Sequence, residues 1–253
     1  MRKGRLMEMR KFIDDKGIVT MEEICEHFSI AMNTARKDIS ELVKAGEIQK
    51  VYGGAKSMGE KENSEAKTYE RRLAMNKSGK ERIAAKAASF VNDGDIIYID
   101  SGTTVSGMVD HLKDKNVTIF TPNIAVANNA MKYEKLCVFI LGGRLNKESY
   151  SIEMAWDTEF PDNFNIDKAF LAATGYSIEG GAAQDTPWEC KRKKFVVEHS
   201  TDTFIAADSS KIGKKALVKY ADAGTIQNLI TDKAVDERYA EFFKENGVKL
   251  FVV

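Results

Sequence analysis

The chain has 253 residues, 43% apolar and 30% charged, which is enough to bury a substantial core and is the composition of a globular protein. Its 38 basic and 38 acidic side chains cancel, so no global field announces nucleic acid or membrane, and any nucleic-acid site must be local. Cys25, Cys137 and Cys190 are widely spaced, with no CxxC and no histidine at metal spacing, which implies reduced thiols, no metal and no cofactor. The basic start MRKGRLMEMRKF lacks the apolar run of a signal peptide, and no stretch approaches the roughly 20 apolar residues of a membrane helix, so a cytoplasmic protein is expected.

Leu6, Met9, Phe12 and Ile13 recur at helical spacing, and Gly17 ends that first helix. Ile18-Val19 suits a short strand. Thr20-Met21-Glu22-Glu23 has the capping-box spacing that opens a second helix through Phe28. A third helix, from Ala31 or Met32, sets Ala35, Ile39, Leu42 and Val43 on one side and Asn33, Arg36, Lys37 and Ser40 on the other. Asn and Arg at a helix start are the side chains that read base edges in a major groove, while Lys and Ser hold phosphates. Gly46 stops this helix, and Glu47 to Ala55 reads as a two-stranded wing. Three short helices and a wing make a winged helix-turn-helix. Residues 1 to 59 carry eleven Lys or Arg against nine Asp or Glu, so arrangement, not charge, favours DNA over the alternative of a small helical oligomerisation module with a solvated face.

The run Ile30 to Ile39, with Gly46 and Tyr52-Gly53-Gly54-Ala55, resembles the N-terminal domain of the DeoR family of bacterial transcriptional regulators, whose recognition helix reads V-S-x-x-T-[IV]-R-R-D-L and whose wing ends H/Y-G-G-A. Ala31 stands where that family usually has a capping Ser, and Lys37 replaces the second Arg, whose planar fork a lysine cannot reproduce. The DNA-contacting set expected from the helix face and the resemblance is Asn33, Thr34, Arg36, Lys37, Ser40 and Tyr52.

Residues 57 to 68 are polar and nearly free of large apolar side chains, as a linker is. The expected organisation is a DNA-binding domain over 1–57, a linker over 58–75 and an effector-binding domain over 76–253. Tyr69-Glu70-Arg71-Arg72 resembles the segment with which the family's effector domain begins. An Arg pair at such a junction is expected to form surface ion pairs, with a relay role as the sharper alternative.

From Ser78 helices and strands alternate: a helix to Val91, strands over Ile96–Ile99, Val117–Thr121, Leu136–Leu141, Asp167–Ala173 and Thr203–Ala207, and helices over Thr104–Leu112 and Ile124–Met131. The chain closes with Asn228–Asp232, a helix over Asp236–Asn246 and a strand over Val248–Val253. This pattern predicts an α/β domain with a mainly parallel sheet built from right-handed crossovers. Ligands of such sheets sit at the carboxyl ends of the strands. There the sequence converges polar and glycine-containing turns: Asp100-Ser101-Gly102-Thr103-Thr104, suited to a phosphate; Thr121-Pro122-Asn123; Gly142-Gly143-Arg144; Thr174-Gly175; and Asp208-Ser209-Ser210-Lys211. Glu189 and Lys191, two apart on a helix, do not share a face, so only one looks squarely into a pocket.

This half resembles the DeoR effector domain, itself similar to ribose-5-phosphate isomerase. Asp100 to Thr104 looks like the phosphate loop, Ala207 to Lys211 like the isomerase's A-D-E-S-K, and Glu189 falls on its catalytic glutamate. The isomerase's two inner carboxylates are Leu171 and Thr174 here, and its K-G-G-G lysine is absent before Gly180-Gly181. Isomerisation needs a base and a partner for the enediolate charge, so a pocket that binds without catalysing is expected. The resemblance implies a regulator, most simply a repressor of a carbohydrate-utilisation operon, acting as a homodimer or homotetramer on operator DNA and relieved by a phosphorylated sugar or sugar alcohol. The alternative is an isomerase-like enzyme with an added helical domain. Expected effector contacts are Asp100, Ser101, Gly102, Thr103, Thr104, Asn123, Gly142, Gly143, Gly175, Glu189, Lys191, Asp208 and Lys211.

Overall fold

The structure, a computed structural model, describes residues 2–51, 53–57, 69–153 and 165–253. The chain divides into two compact units, 1–67 and 68–253.

In the first unit, α1 (Arg2–Lys16), β1 (Ile18–Thr20), α2 (Met21–Phe28), α3 (Met32–Lys44), β2 (Ile48–Val51) and β3 (Gly54–Ser57) follow in order. The expected capping box is present: the Thr20 hydroxyl accepts from the Glu23 N–H at 3.1 Å, and the Glu23 carboxylate accepts from the Thr20 N–H at 2.8 Å. Ala31 caps α3 with no side-chain hydrogen bond. The two-strand wing expected from sequence has a third member, because β1 pairs antiparallel with β3, which pairs with β2. Met9, Ile13, Ile24, Ala35, Ile39 and Ile48 form the core, each at most 2% exposed.

The second unit opens with α4 (Tyr69–Ala74), a helix where sequence suggested only linker, and α5 (Lys77–Ser89). Then come β4 (Ile96–Ile99), a 3-10 turn (Val105–Gly107), α6 (Met108–His111), β5 (Val117–Thr121), α7 (Ile124–Ala130), β6 (Leu136–Ile140) and the hairpin β7 (Arg144–Asn146) and β8 (Ser151–Glu153). The remainder is β9 (Ile166–Leu171), β10 (Gly175–Ser177), β11 (Gly181–Gln184), α8 (Pro187–Glu198), β12 (Ser200–Ala206), β13 (Val218–Ala221), β14 (Asn228–Thr231), α9 (Glu237–Glu245) and β15 (Lys249–Val252).

Seven strands form one sheet in the order β15-β14-β12-β9-β4-β5-β6, every neighbouring pair parallel. The chain builds outward from β4 to β6 in one direction and from β9 to β15 in the other, so the order reverses between β4 and β9. A crevice opens at the carboxyl edge of such a reversal, and ligands use it. Two apolar clusters line the two faces, one including Ile97, Ile99, Ile119, Phe170 and Ile230, the other Tyr98, Ala169, Leu171, Ile205 and Leu229. Burial on both faces explains why the strands read as continuous apolar runs. A second small sheet, β10-β11-β13, is antiparallel and was not expected. The helix expected over Thr104–Leu112 is a 3-10 turn followed by one α-turn, so its dipole is weaker than a long helix would supply.

Candidate functional site

On α3 the side chains of Asn33, Arg36, Lys37 and Ser40 are exposed together and Thr34 is half-buried, while Ala35, Ile39 and Leu42 face the core. This is the division a groove-reading helix requires. Asp38, on the buried side at 1% exposure, is held by Arg5 of α1 at 2.7 Å. The pair fixes the angle at which α3 is presented. Tyr52 lies outside the described residues.

In the second unit the residues expected around a ligand separate into a floor and a lining. Asp100 is in the floor. Its side chain is fully buried, with one carboxylate oxygen accepting from the Ala172 N–H at 2.9 Å and 2.8 Å from the Lys193 ammonium. The Arg192 guanidinium stands 4.0 Å from the other oxygen and donates to the Tyr98 hydroxyl at 3.0 Å and the Ile152 carbonyl at 3.1 Å. Burial alone would raise the Asp100 pKa, but Lys193 and Arg192 outweigh it and hold the carboxyl below its ordinary value. Lys193 also donates to the Ala172 carbonyl at 2.6 Å. The ends of β4 and β9 are therefore tied together through Ala172, and Asp100 as a direct ligand contact is corrected to a buried strut. Sequence reading passed over Lys193 because a helical lysine is usually solvated; the signal was the isolated buried acid that needed a partner.

Asn123, at 0% exposure, is likewise a structural cap. Its carbonyl oxygen accepts from the Ala125 and Val126 N–H groups at 2.9 and 3.4 Å, and its amide donates to the Asp100 carbonyl at 3.2 Å. Gly175, in β10, has the Lys214 main chain against it, 2.4 Å from where a Cβ would stand, so it is a packing position. Lys191 points to solvent and Glu189 is 7% exposed, so of the two it is Glu189 that faces the fold. The Glu189 carboxylate accepts from Gln184, whose own carbonyl oxygen accepts from the Thr174 N–H and hydroxyl at 2.7 and 2.6 Å.

The lining begins with the loop after β4. Ser101, Thr103 and Thr104 are each at most 7% exposed, yet among the described residues their hydroxyls have no hydrogen-bond partner. The same holds for the main-chain N–H groups from Ser101 to Thr104. Gly102 makes the arrangement possible, because a Cβ there would lie 2.2 Å from the Ala172 Cβ. Gly142 and Gly143 are exposed and start the β7–β8 hairpin; at Gly143, φ is +149° and the Glu153 carbonyl lies 2.1 Å from the position of a Cβ. Across the edge, Asp208 is 6% exposed and caps its turn by accepting from the Ser210 N–H at 3.0 Å, and Lys211 is half-buried. Asp232, at the end of β14, accepts from the Ser209 N–H at 2.7 Å and from Asn76 at 2.8 Å.

Lys80, on the first turn of α5, was not anticipated. It is 8% exposed, donates to the Arg72 carbonyl and faces Asp208, Lys211 and Arg72. Burial lowers its pKa, Lys211 and Arg72 lower it further, and Asp208 opposes them. The loop's free donors and these lysines make one edge of the sheet a place for an anion with hydroxyl groups. Among the described residues no group of three or more His, Cys, Asp or Glu could hold a metal ion, and no helix is long and apolar enough to cross a membrane.

Comparison with known proteins agrees with this geometry. The DeoR-like helix-turn-helix domain matches residues 5–61, and the DeoR C terminal sensor domain matches residues 75–233. The HTH-type transcriptional regulator IolR of Bacillus subtilis is 33% identical over 245 residues, 96% of each chain. The HTH-type transcriptional repressor GlcR of Bacillus subtilis is 29% identical, covering 98% of this chain and 95% of that one. The glycerol-3-phosphate regulon repressor of Escherichia coli is 29% identical, covering 88% and 87%. A solved structure of ribose 5-phosphate isomerase A from Methanocaldococcus jannaschii has a partial likeness, with a TM-score of 0.40 and 19% identity over 54% of this chain and 55% of that one. With both domains matched in order and relatives aligned along nearly its whole length, the chain belongs to the DeoR family of transcriptional regulators.

Proposed function

We propose that this regulator represses a carbohydrate-utilisation operon in the cytoplasm and releases its operator when a phosphorylated sugar or sugar alcohol occupies the carboxyl edge of the seven-stranded sheet. The observation that carries the reading is the loop from Ser101 to Thr104, whose main-chain N–H groups and hydroxyls have no partner among the described residues. Donors held this way suit the several acceptor oxygens of a phosphate. Lys211 and Lys80 supply positive charge, and Asp208 and Glu189 are placed to accept from sugar hydroxyls. Asn33, Arg36 and Lys37 contact bases and phosphates of the operator, with Thr34, Ser40 and Tyr52 on its backbone. A dimer or tetramer supplies the second reading helix that a two-fold operator demands.

Binding without catalysis is favoured over isomerisation by the two positions that depart from the isomerase pattern. Leu171 is fully buried in the apolar cluster, and Thr174 is committed to Gln184. Neither can move a proton. The test is fluorescence anisotropy of DNA upstream of this gene and its neighbours, titrated with protein at one fixed salt concentration, because phosphate contacts make affinity salt-dependent. A phosphorylated sugar that releases the DNA when its unphosphorylated form does not would support the reading. Aldose-to-ketose phosphate turnover without specific DNA binding would replace it with the enzyme.

A further inference from the structure

Helix α4 is short and half exposed, and it directly follows the segment that leads out of the DNA-binding unit. Two holds fix it, and both end on the effector site. At its start Tyr69, 7% exposed, has its hydroxyl beside the Ser106 side chain, and Ser106 donates to the Thr103 carbonyl at 3.0 Å, inside the loop with the free donors. The Tyr69 ring also packs on Tyr150 of the β7–β8 hairpin, centroids 5.2 Å apart. Tyr150 is held at φ +53°, a backbone region that a bulky side chain rarely adopts. At the other end of α4, the Arg72 carbonyl accepts from the Lys80 ammonium. Lys80 has two further donors and is surrounded by Asp208, Lys211 and Arg72, with no carboxylate in ion-pair range among the described residues.

Helix α5 carries Lys80 between these places. Gly79 beside it approaches Asp232, to within 2.8 Å of the position of a Cβ, and Ala84 one turn on packs against Gly107 of the 3-10 turn. Lys80 therefore belongs to the same edge as the loop. We propose that α4 reports effector occupancy to the DNA-binding unit: an anion that draws the Lys80 ammonium to itself withdraws it from the Arg72 carbonyl, and α4 loses its second hold. This rests on the reading of the Ser101–Thr104 edge as an anion site. A carbonyl is a weaker partner for an ammonium than a phosphate oxygen is, so the exchange is downhill once the anion is seated. Coupling arises because the two states of α4 differ in the partner left to Lys80, and the ligand binds the released state better. By reciprocity, DNA that favours the held state weakens the ligand.

The test is amide hydrogen exchange on the full chain, with and without inorganic phosphate as the probe. Slowed exchange at Gly102 to Val105 with exchange at Leu73 to Met75 quickened at least tenfold is the expected result. Tyr69→Phe keeps the ring on Tyr150 and removes the hydroxyl beside Ser106; it should quicken exchange at Leu73 to Met75 without phosphate and keep the protection at Gly102 to Val105. Lys80→Met should quicken the same amides, with phosphate adding nothing. Protection at Gly102 to Val105 with α4 unchanged would overturn the relay and leave the anion site standing. Absence of protection at that loop would overturn both.

Discussion

Replacing Lys193 by Met exposes what the buried pair under the effector loop does. Both members are 0% exposed and 2.8 Å apart, and after the substitution Asp100 keeps Arg192, at 4.0 Å, the Tyr98 hydroxyl, at 3.3 Å, and the Ala172 N–H. The cost has a ceiling, because a stranded carboxylate can always take a proton. From an unfolded pKa of about 3.9, protonation at pH 7 costs about 4 kcal/mol, and at about pH 4.5 it costs about 1 kcal/mol. The lost Lys193 bond to the Ala172 carbonyl adds about 1 kcal/mol at either pH. The expected deficit is therefore about 3–5 kcal/mol at pH 7, shrinking to about 1–2 kcal/mol near pH 4.5.

The sign follows from the two pKa values of Asp100. In the parent its folded value is depressed, so its contribution is present above the unfolded value and lost as pH falls through the folded one. In the variant burial is opposed only by Arg192 and the hydrogen bonds from the Ala172 N–H and the Tyr98 hydroxyl, and the folded value rises, so the variant loses stability as pH climbs through it. Urea unfolding followed by tryptophan fluorescence reads the correct unit, since both tryptophans, Trp156 and Trp188, lie in residues 68–253. Asp100→Asn added to Lys193→Met should recover most of the loss at pH 7. A deficit below about 1 kcal/mol at pH 7, or one equal at both pH values, would refute the argument.

Arg36→Ala should abolish specific operator binding by anisotropy while protection of the Gly102–Val105 amides by phosphate is unchanged. Lys37→Ala should weaken binding to all sequences alike and lower the slope of log affinity against log salt by about 1. Gly102→Ala places a Cβ 2.2 Å from the Ala172 Cβ and should destabilise the sensor unit by about 1–3 kcal/mol in the tryptophan assay, with Ala172→Gly relieving it in the double variant. Ala31→Ser supplies the missing cap of α3 and should stabilise the DNA-binding unit by about 1 kcal/mol, measured as a raised unfolding midpoint of residues 1–67 by hydrogen exchange.

Most of the parallel sheet could be read in advance because β4, β5, β9 and β14 are apolar runs between glycine and polar turns, the pattern that burial on both faces imposes. The capping box at Thr20 and the two-sided face of α3 were equally legible, since both depend on near neighbours in sequence. Strands β10 and β11 were missed because Gly175-Tyr176-Ser177 and Gly181-Ala182-Ala183-Gln184 are short and poor in β-branched residues, and β11 takes its other partner, β13, from some thirty-five residues on. Helix α4 was taken for linker because it buries chiefly Tyr69. At the site, residue types and turns were visible, but side-chain direction was not. Asp100 and Asn123 read as ligand contacts and instead point down into the fold, while Lys80 and Lys193, which drew no reading, are buried. Helical lysines give no local sign of such burial.

The reversal of strand order between β4 and β9 has a consequence for how long the regulator lasts. The sheet is two consecutive stretches of chain that meet along one strand pair, and the loop from Ser101 to Thr104, the proposed anion site, lies on that seam, with Gly102 pressed against Ala172. A ligand bound there would hold the two stretches together as well as signal. At a concentration one hundred times its dissociation constant it adds about 2.7 kcal/mol to the unit that binds it, close to a hundredfold fall in the fraction open to proteolysis. If the proposed effector is the ligand there, it would thus also preserve the repressor it releases, leaving a full complement ready to rebind when the effector is spent.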